Sequence, residues 1–71
     1  MNIGELIKTE LRHQERSVSW LARKLCCNRT NVYSIFKRND IDAELLLRIS
    51  KILNYDFFTY YSRQISKHNV E

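Results

Sequence analysis

The chain has 71 residues, enough for one small domain with a single modest core. One glycine and no proline exclude phosphate-cradling glycine loops and most tight hairpins, which leaves an all-α chain. The net charge is +4, with six basic residues and no acidic one between Arg16 and Asn39, while all eight carboxylates lie outside that window. A central segment of one sign points to a polyanionic partner, set against the plainer reading of a solvated face.

In chain order, Ile3, Leu6, Ile7 and Leu11 fall on one stripe and predict a first helix from Ile3 to about Gln14. Asn2 is placed to cap it, and Glu5 sits near the positive end of its dipole. The charged stretch Arg12 to Arg16 carries the chain out of that helix, and His13 within it reads as a solvated helix-end histidine rather than a ligand or base. Ser17 can cap the next helix, whose stripe is Val18, Leu21, Ala22 and Leu25. Trp20 lies off that stripe, with two places open to it, against the first helix or on a sugar–phosphate backbone. Arg23 and Lys24 face solvent. Cys26 and Cys27 follow; adjacent cysteines rarely bridge each other, no third Cys supplies a partner, and a reducing cytoplasm suits them.

A second short helix then carries Val32, Ile35 and Phe36 on one side, with Asn28 or Thr30 to cap it. Arg29, Asn31, Tyr33, Ser34 and Lys37 occupy the other side, a polar surface with reach that has no place in a core. After a polar loop, Arg38-Asn39-Asp40, Asp42 caps a helix from Ala43 to Leu53. Ile41 and Leu46 make a hydrophobic staple there. Leu45, Leu46, Ile49, Ile52 and Leu53 give the broadest apolar face. Asn54 ends this helix in the left-handed conformation that Asn tolerates.

Asp56 starts a last helix, FFTYYSRQIS. Phe57 with Tyr60 or Tyr61 closes the core under Leu53. Phe58, Ser62 and Ile65 fall on another face, so Phe58, Tyr61 and Ile65 form an apolar surface suited to a partner, first of all a second copy of the chain. The alternative is that these rings only finish the core, since tyrosine is content half-buried. The domain is expected over 1–66, with 67–71 a frayed tail. No stretch reads as a signal peptide or a membrane span, and a cytoplasmic protein is expected.

Taken together, Ile3-Gly4 and Ile7, Ser17, Leu21-Ala22 and Leu25, Val32, Ile35-Phe36, Leu46 to Leu53 and Asp56-Phe57-Phe58 resemble the lambda-repressor and Cro-like (XRE) family of helix-turn-helix regulators. The resemblance covers nearly the whole chain. It implies a compact five-helix domain with a central helix-turn-helix, Ala22 at the close crossing of the paired helices, and Asn39 to Asp42 as the loop into the fourth helix. Two positions depart from the family pattern. Cys26 stands where glycine is usual, and Val18 where glutamine is frequent.

The resemblance also implies a double-stranded DNA partner read in the major groove by Arg29, Thr30, Asn31, Tyr33 and Ser34. Arg29 suits guanine O6 and N7, and Asn31 suits adenine. Ser17, Ser19, Lys37, Arg38 and Asn39 would lie near phosphates, although Arg38 could equally complement its helix dipole. A transcriptional regulator acting as a homodimer on a palindromic operator is the expected function.

The rival reading keeps the same fold as a protein-interaction module of antitoxin-like type, and a third is non-specific nucleoid or RNA binding. No nucleophile, base and orienting acid stand at workable spacing, so no catalytic residue and no enzyme are expected. Nor are paired Cys/His ligands spaced for zinc. Neither a cofactor nor a small-molecule ligand is expected.

Overall fold

The computed structural model describes residues 2–68. They form five α-helices, α1 (Ile3–His13), α2 (Val18–Leu25), α3 (Arg29–Phe36), α4 (Ala43–Leu53) and α5 (Phe58–His68), with no strand among the described residues. The fold class is therefore all-α, as the composition requires. No helix among the described residues is long and apolar enough to cross a membrane.

Each of the first four helices begins where a short polar side chain can satisfy an orphan backbone donor. Asn2 accepts from the Glu5 N–H at 2.9 Å, Ser17 from Trp20 at 3.0 Å, Asn28 from Asn31 at 2.9 Å and Asp42 from Leu45 at 2.8 Å. Of the two residues able to cap α3, Asn28 does so. At α5 the Asp56 carboxylate accepts the Phe58 N–H at 3.0 Å, and its carbonyl accepts the Thr59 hydroxyl at 2.7 Å.

The helix ends follow a second rule. Glu15, Cys26 and Asn54 each adopt a left-handed conformation, at φ 58°, 59° and 52°. In each case the following residue's N–H reaches back five positions, Arg16 to Leu11, Cys27 to Ala22 and Tyr55 to Ser50. That is the Schellman closure, normally built on glycine.

The core joins Ile3, Ile7 and Leu11 of α1 to Leu21, Ala22 and Leu25 of α2, Val32, Ile35 and Phe36 of α3, and Leu46, Ile49 and Leu53 of α4. Ile41 and Phe57 complete it from the loops, and Phe57 is fully buried before α5 starts. Val18, Leu45 and Ile52 are only half-buried against this cluster, as are Cys27, Phe58, Tyr60 and Tyr61. Burying one such large apolar side chain stabilises by about 1.5–3 kcal/mol, so the shared cluster is the main force holding five short helices together.

α3 packs against both α1 and α2, and α4 against α2. At the α1–α3 contact, Gly4 lies so close to α3 that a Cβ there would collide with the Ile35 and Phe36 carbonyls. The Gly4 N–H donates to the Arg38 carbonyl at 3.2 Å. Asn2 adds a side-chain bond to Asn39 at 2.9 Å. The positive end of α1 thus meets the carbonyl end of α3. A second polar tie runs from Gln14, whose Nε2 donates to the Leu53 carbonyl at 2.7 Å and to Glu10 at 2.8 Å, fixing α1 to the end of α4.

α5 extends through His68, two residues past the Ser66 end expected for it. The rest of the expected tail, 69–71, lies outside the described residues. On α5, burial and then repulsion from Tyr60 and Asp40 push the Tyr61 phenol above its ordinary range.

Candidate nucleic-acid interface

Cys26 to Asn28 form the turn that joins α2 to α3, and the buried side of α3 fixes what its other side can present. With Val32, Ile35 and Phe36 inward, helical spacing turns Thr30, Ser34 and Lys37 directly outward. Arg29, Thr30, Asn31, Tyr33, Ser34, Lys37, Arg38 and Asn39 are all exposed. The residues expected to read bases therefore share one surface, but they divide over its two flanks. Tyr33 and Lys37 border a recess with Asn2, Glu5, Lys8 and Phe36, on the α1 side. Asn31 and Ser34, with Arg38, border a different cleft on the α4 side. Tyr33 is 52 % exposed, and its ring meets Phe36 edge-on at 6.2 Å. It is anchored at its base and free at its tip.

The electrostatics of this surface are one-sided. α1 and α4 each carry a carboxylate in the first turn, Glu5 and Glu44, whereas α2 and α3 carry none. Helix N-termini hold partial positive charge, and at these two starts no first-turn carboxylate offsets it. Among the described residues no carboxylate pairs with any of the six cations from Arg16 to Arg38.

The residues expected near phosphates are not equivalent. Ser17 is exposed; its Oγ accepts from Trp20 and keeps its O–H free to donate. Ser19 is half-buried one residue inside α2. Asn39 already spends its Oδ1 on Asn2, which ties the loop after α3 to the start of α1. Trp20 packs half-buried against the core, with the Arg16 guanidinium 4.5 Å and the Lys24 ammonium 5.8 Å from its ring centroid. Its face is thus occupied by cations, each of which still points charge outward.

Arg48, on α4, has no part in the expected set. Its Nη2 donates to the Leu25 carbonyl at 3.3 Å, at the end of α2. Its guanidinium borders the same cleft as Asn31, Ser34 and Arg38, floored by Leu25, Ile35 and Leu45 with Cys27. The only sequence signal was a cation, one of two with Lys51, inside the apolar run of α4.

The surface expected to meet a partner is mixed. Ile65 is 70 % exposed, while Phe58 and Tyr61 are half-buried against the core and leave only their edges outside. Tyr60 and Tyr61 meet edge-on at 5.1 Å. An open groove between α1 and α5 is bordered by Leu6, Tyr55, Tyr60, Arg63 and Lys67. Among the described residues, no three His, Cys, Asp or Glu side chains gather as a metal site would require.

No protein-family model, curated protein or solved structure matches the chain.

Proposed function

We propose that the chain is a sequence-specific double-stranded DNA-binding regulator of transcription, acting in the cytoplasm as a homodimer on a palindromic operator. α3 enters the major groove, with Arg29 and Thr30 at its leading end and Ser34 and Lys37 along its outer side. The observation that carries this reading is the exposed polar outer side of α3, flanked by Arg29 at its start and by Lys37 and Arg38 just past its end, none of which pairs with a carboxylate among the described residues. A helix of this kind fits the groove, and one bidentate pair from Arg29 to a guanine discriminates by about 1–3 kcal/mol. The resemblance to lambda-repressor-like domains points the same way. A single copy buries little surface, so two half-sites about one helical turn apart raise affinity and impose two-fold symmetry on the site.

Selection from a random-sequence duplex pool tests this, followed by anisotropy titration of the winner beside Arg29→Ala and Asn31→Ala. A two-fold-symmetric winner, with preference relaxed at defined bases in each variant, is the expected result. No enrichment, or equal affinity for scrambled duplex, overturns it.

A protein-interaction module is the second reading, and the exposed Ile65, on the face of α5 that also carries Phe58 and Tyr61, favours it. If Ile65→Lys abolished function in cells while Arg29→Ala left it intact, that reading would replace the first.

A further inference from the structure

The cleft between α3 and α4 has a volume of about 330 Å³. Asn31 and Ser34 of α3, with Arg38 just after it, border the cleft on one side, and Arg48 of α4 borders it on the other. The geometry points to this cleft as a phosphate-binding site that takes one backbone phosphate of the duplex whose bases α3 reads. Arg48 thereby becomes a DNA contact contributed by α4. This inference rests on the DNA-binding reading for the source of the phosphate, though not for the chemistry of the site.

Arg48 is held before any ligand arrives. Its Nη2 donates to the Leu25 carbonyl at 3.3 Å, which tethers the guanidinium at the cleft and leaves its other N–H groups for an anion. Arg38, which borders the same cleft, has no carboxylate partner among the described residues. Guanidinium groups pair with phosphate through parallel N–H···O bonds. A tetrahedral phosphate presents oxygens in several directions, so Arg38, Arg48 and the Ser34 hydroxyl can all donate to it. The apolar residues that line the cleft, Leu25, Ile35 and Leu45, offer a surface for the adjoining deoxyribose.

The test is the salt dependence of affinity for the selected duplex, compared among the parent, Arg48→Met and Arg48→Lys. Each phosphate neutralised contributes about 0.9 to the slope of log K against log salt. Arg48→Met is expected to flatten the slope by that amount and to weaken selected and scrambled duplexes by the same factor, about ten-fold near 0.1 M salt. Arg48→Lys restores the slope. Thermal unfolding of each variant accompanies the titrations, and the comparison is made below the onset of unfolding.

In parallel, nitrogen-labelled protein is titrated with inorganic phosphate against chloride at matched ionic strength. Shifts at Asn31, Ser34 and the two arginine side chains, absent in Arg48→Met, are expected. If the parent binds DNA and Arg48→Met keeps its slope, the cleft proposal falls while the regulator reading stands. If the parent binds no duplex, the regulator reading falls and the phosphate titration decides. Shifts confined to the cleft then support a free phosphate-bearing ligand, and their absence overturns the site.

Discussion

Cys26 sits at φ 59° and ψ 43°, where an L-residue with a β-carbon is strained, and it ends α2 at the turn into α3. The left-handed conformation costs an ordinary residue about 1–2 kcal/mol, against about 0.5–1 kcal/mol of extra chain entropy that glycine loses on folding. The exposed thiol does nothing else that its own position requires. Cys26→Gly is therefore expected to stabilise the domain by about 0.5–1 kcal/mol. Thermal unfolding checks this, and a lower midpoint than the parent's would refute it. Asn54→Gly should gain less, because asparagine already tolerates this region. Glu15 shares the conformation at φ 58°, and no residue preference announced it. The left-handed backbone at Asn54 was legible because asparagine signals it, and at Cys26 only through the resemblance, which puts glycine there, whereas at Glu15 the helix geometry alone imposes it.

Among the elements, α3 depends most on its neighbours, since its direction in space decides what its outer side can reach. α1 fixes that direction through Gly4, whose missing β-carbon lets the two backbones meet. In an ordinary helix, alanine in place of glycine gains about 0.5–1 kcal/mol. Here the added carbon meets backbone carbonyls, which cannot rotate away as a side chain could. Gly4→Ala is thus expected to reverse the usual sign and destabilise by about 1–3 kcal/mol, as overpacking does. Urea unfolding reads this directly; a stabilised variant would show that α1 and α3 can part without cost.

The same contrast between near and far explains what the residues disclosed. Caps at Asn2, Ser17, Asn28 and Asp42 were legible because donor and acceptor lie three positions apart. The ties from Arg48 to Leu25 and from Gln14 to Leu53 span 23 and 39 positions, and no local pattern encodes them. For that reason the outer side of α3 could be anticipated, while the division of its residues between two flanks and the α4 wall of the cleft could not. The end of α5 was missed for a related reason. No glycine or proline marks a stop after Ser66, and the helix continues to His68.

At the scale of the molecule, the polar outer side of α3 and the apolar edge of α5 make separate demands, and the proposed two-fold dimer on DNA would meet both. The fully buried Phe57 anchors the start of α5, so the helix is held by the core and its outer residues are free to vary. Ile65, at 70 % exposure, contributes little to the fold of one copy. Ile65→Lys should therefore change stability by no more than about 0.5 kcal/mol, as surface substitutions do. Its effect belongs to assembly. Joining two half-site contacts raises affinity by about 10²–10⁴ over a single one, and a lysine at the shared surface removes that gain by placing like charges in an apolar contact. Affinity for a two-half-site duplex is expected to fall at least a hundred-fold, while affinity for an isolated half-site stays as it was. Anisotropy with both duplexes, beside sedimentation of the free protein, distinguishes the cases. Equal loss on both duplexes would place Ile65 in the DNA contact itself, and no loss on either would mean that the copies meet elsewhere or act alone.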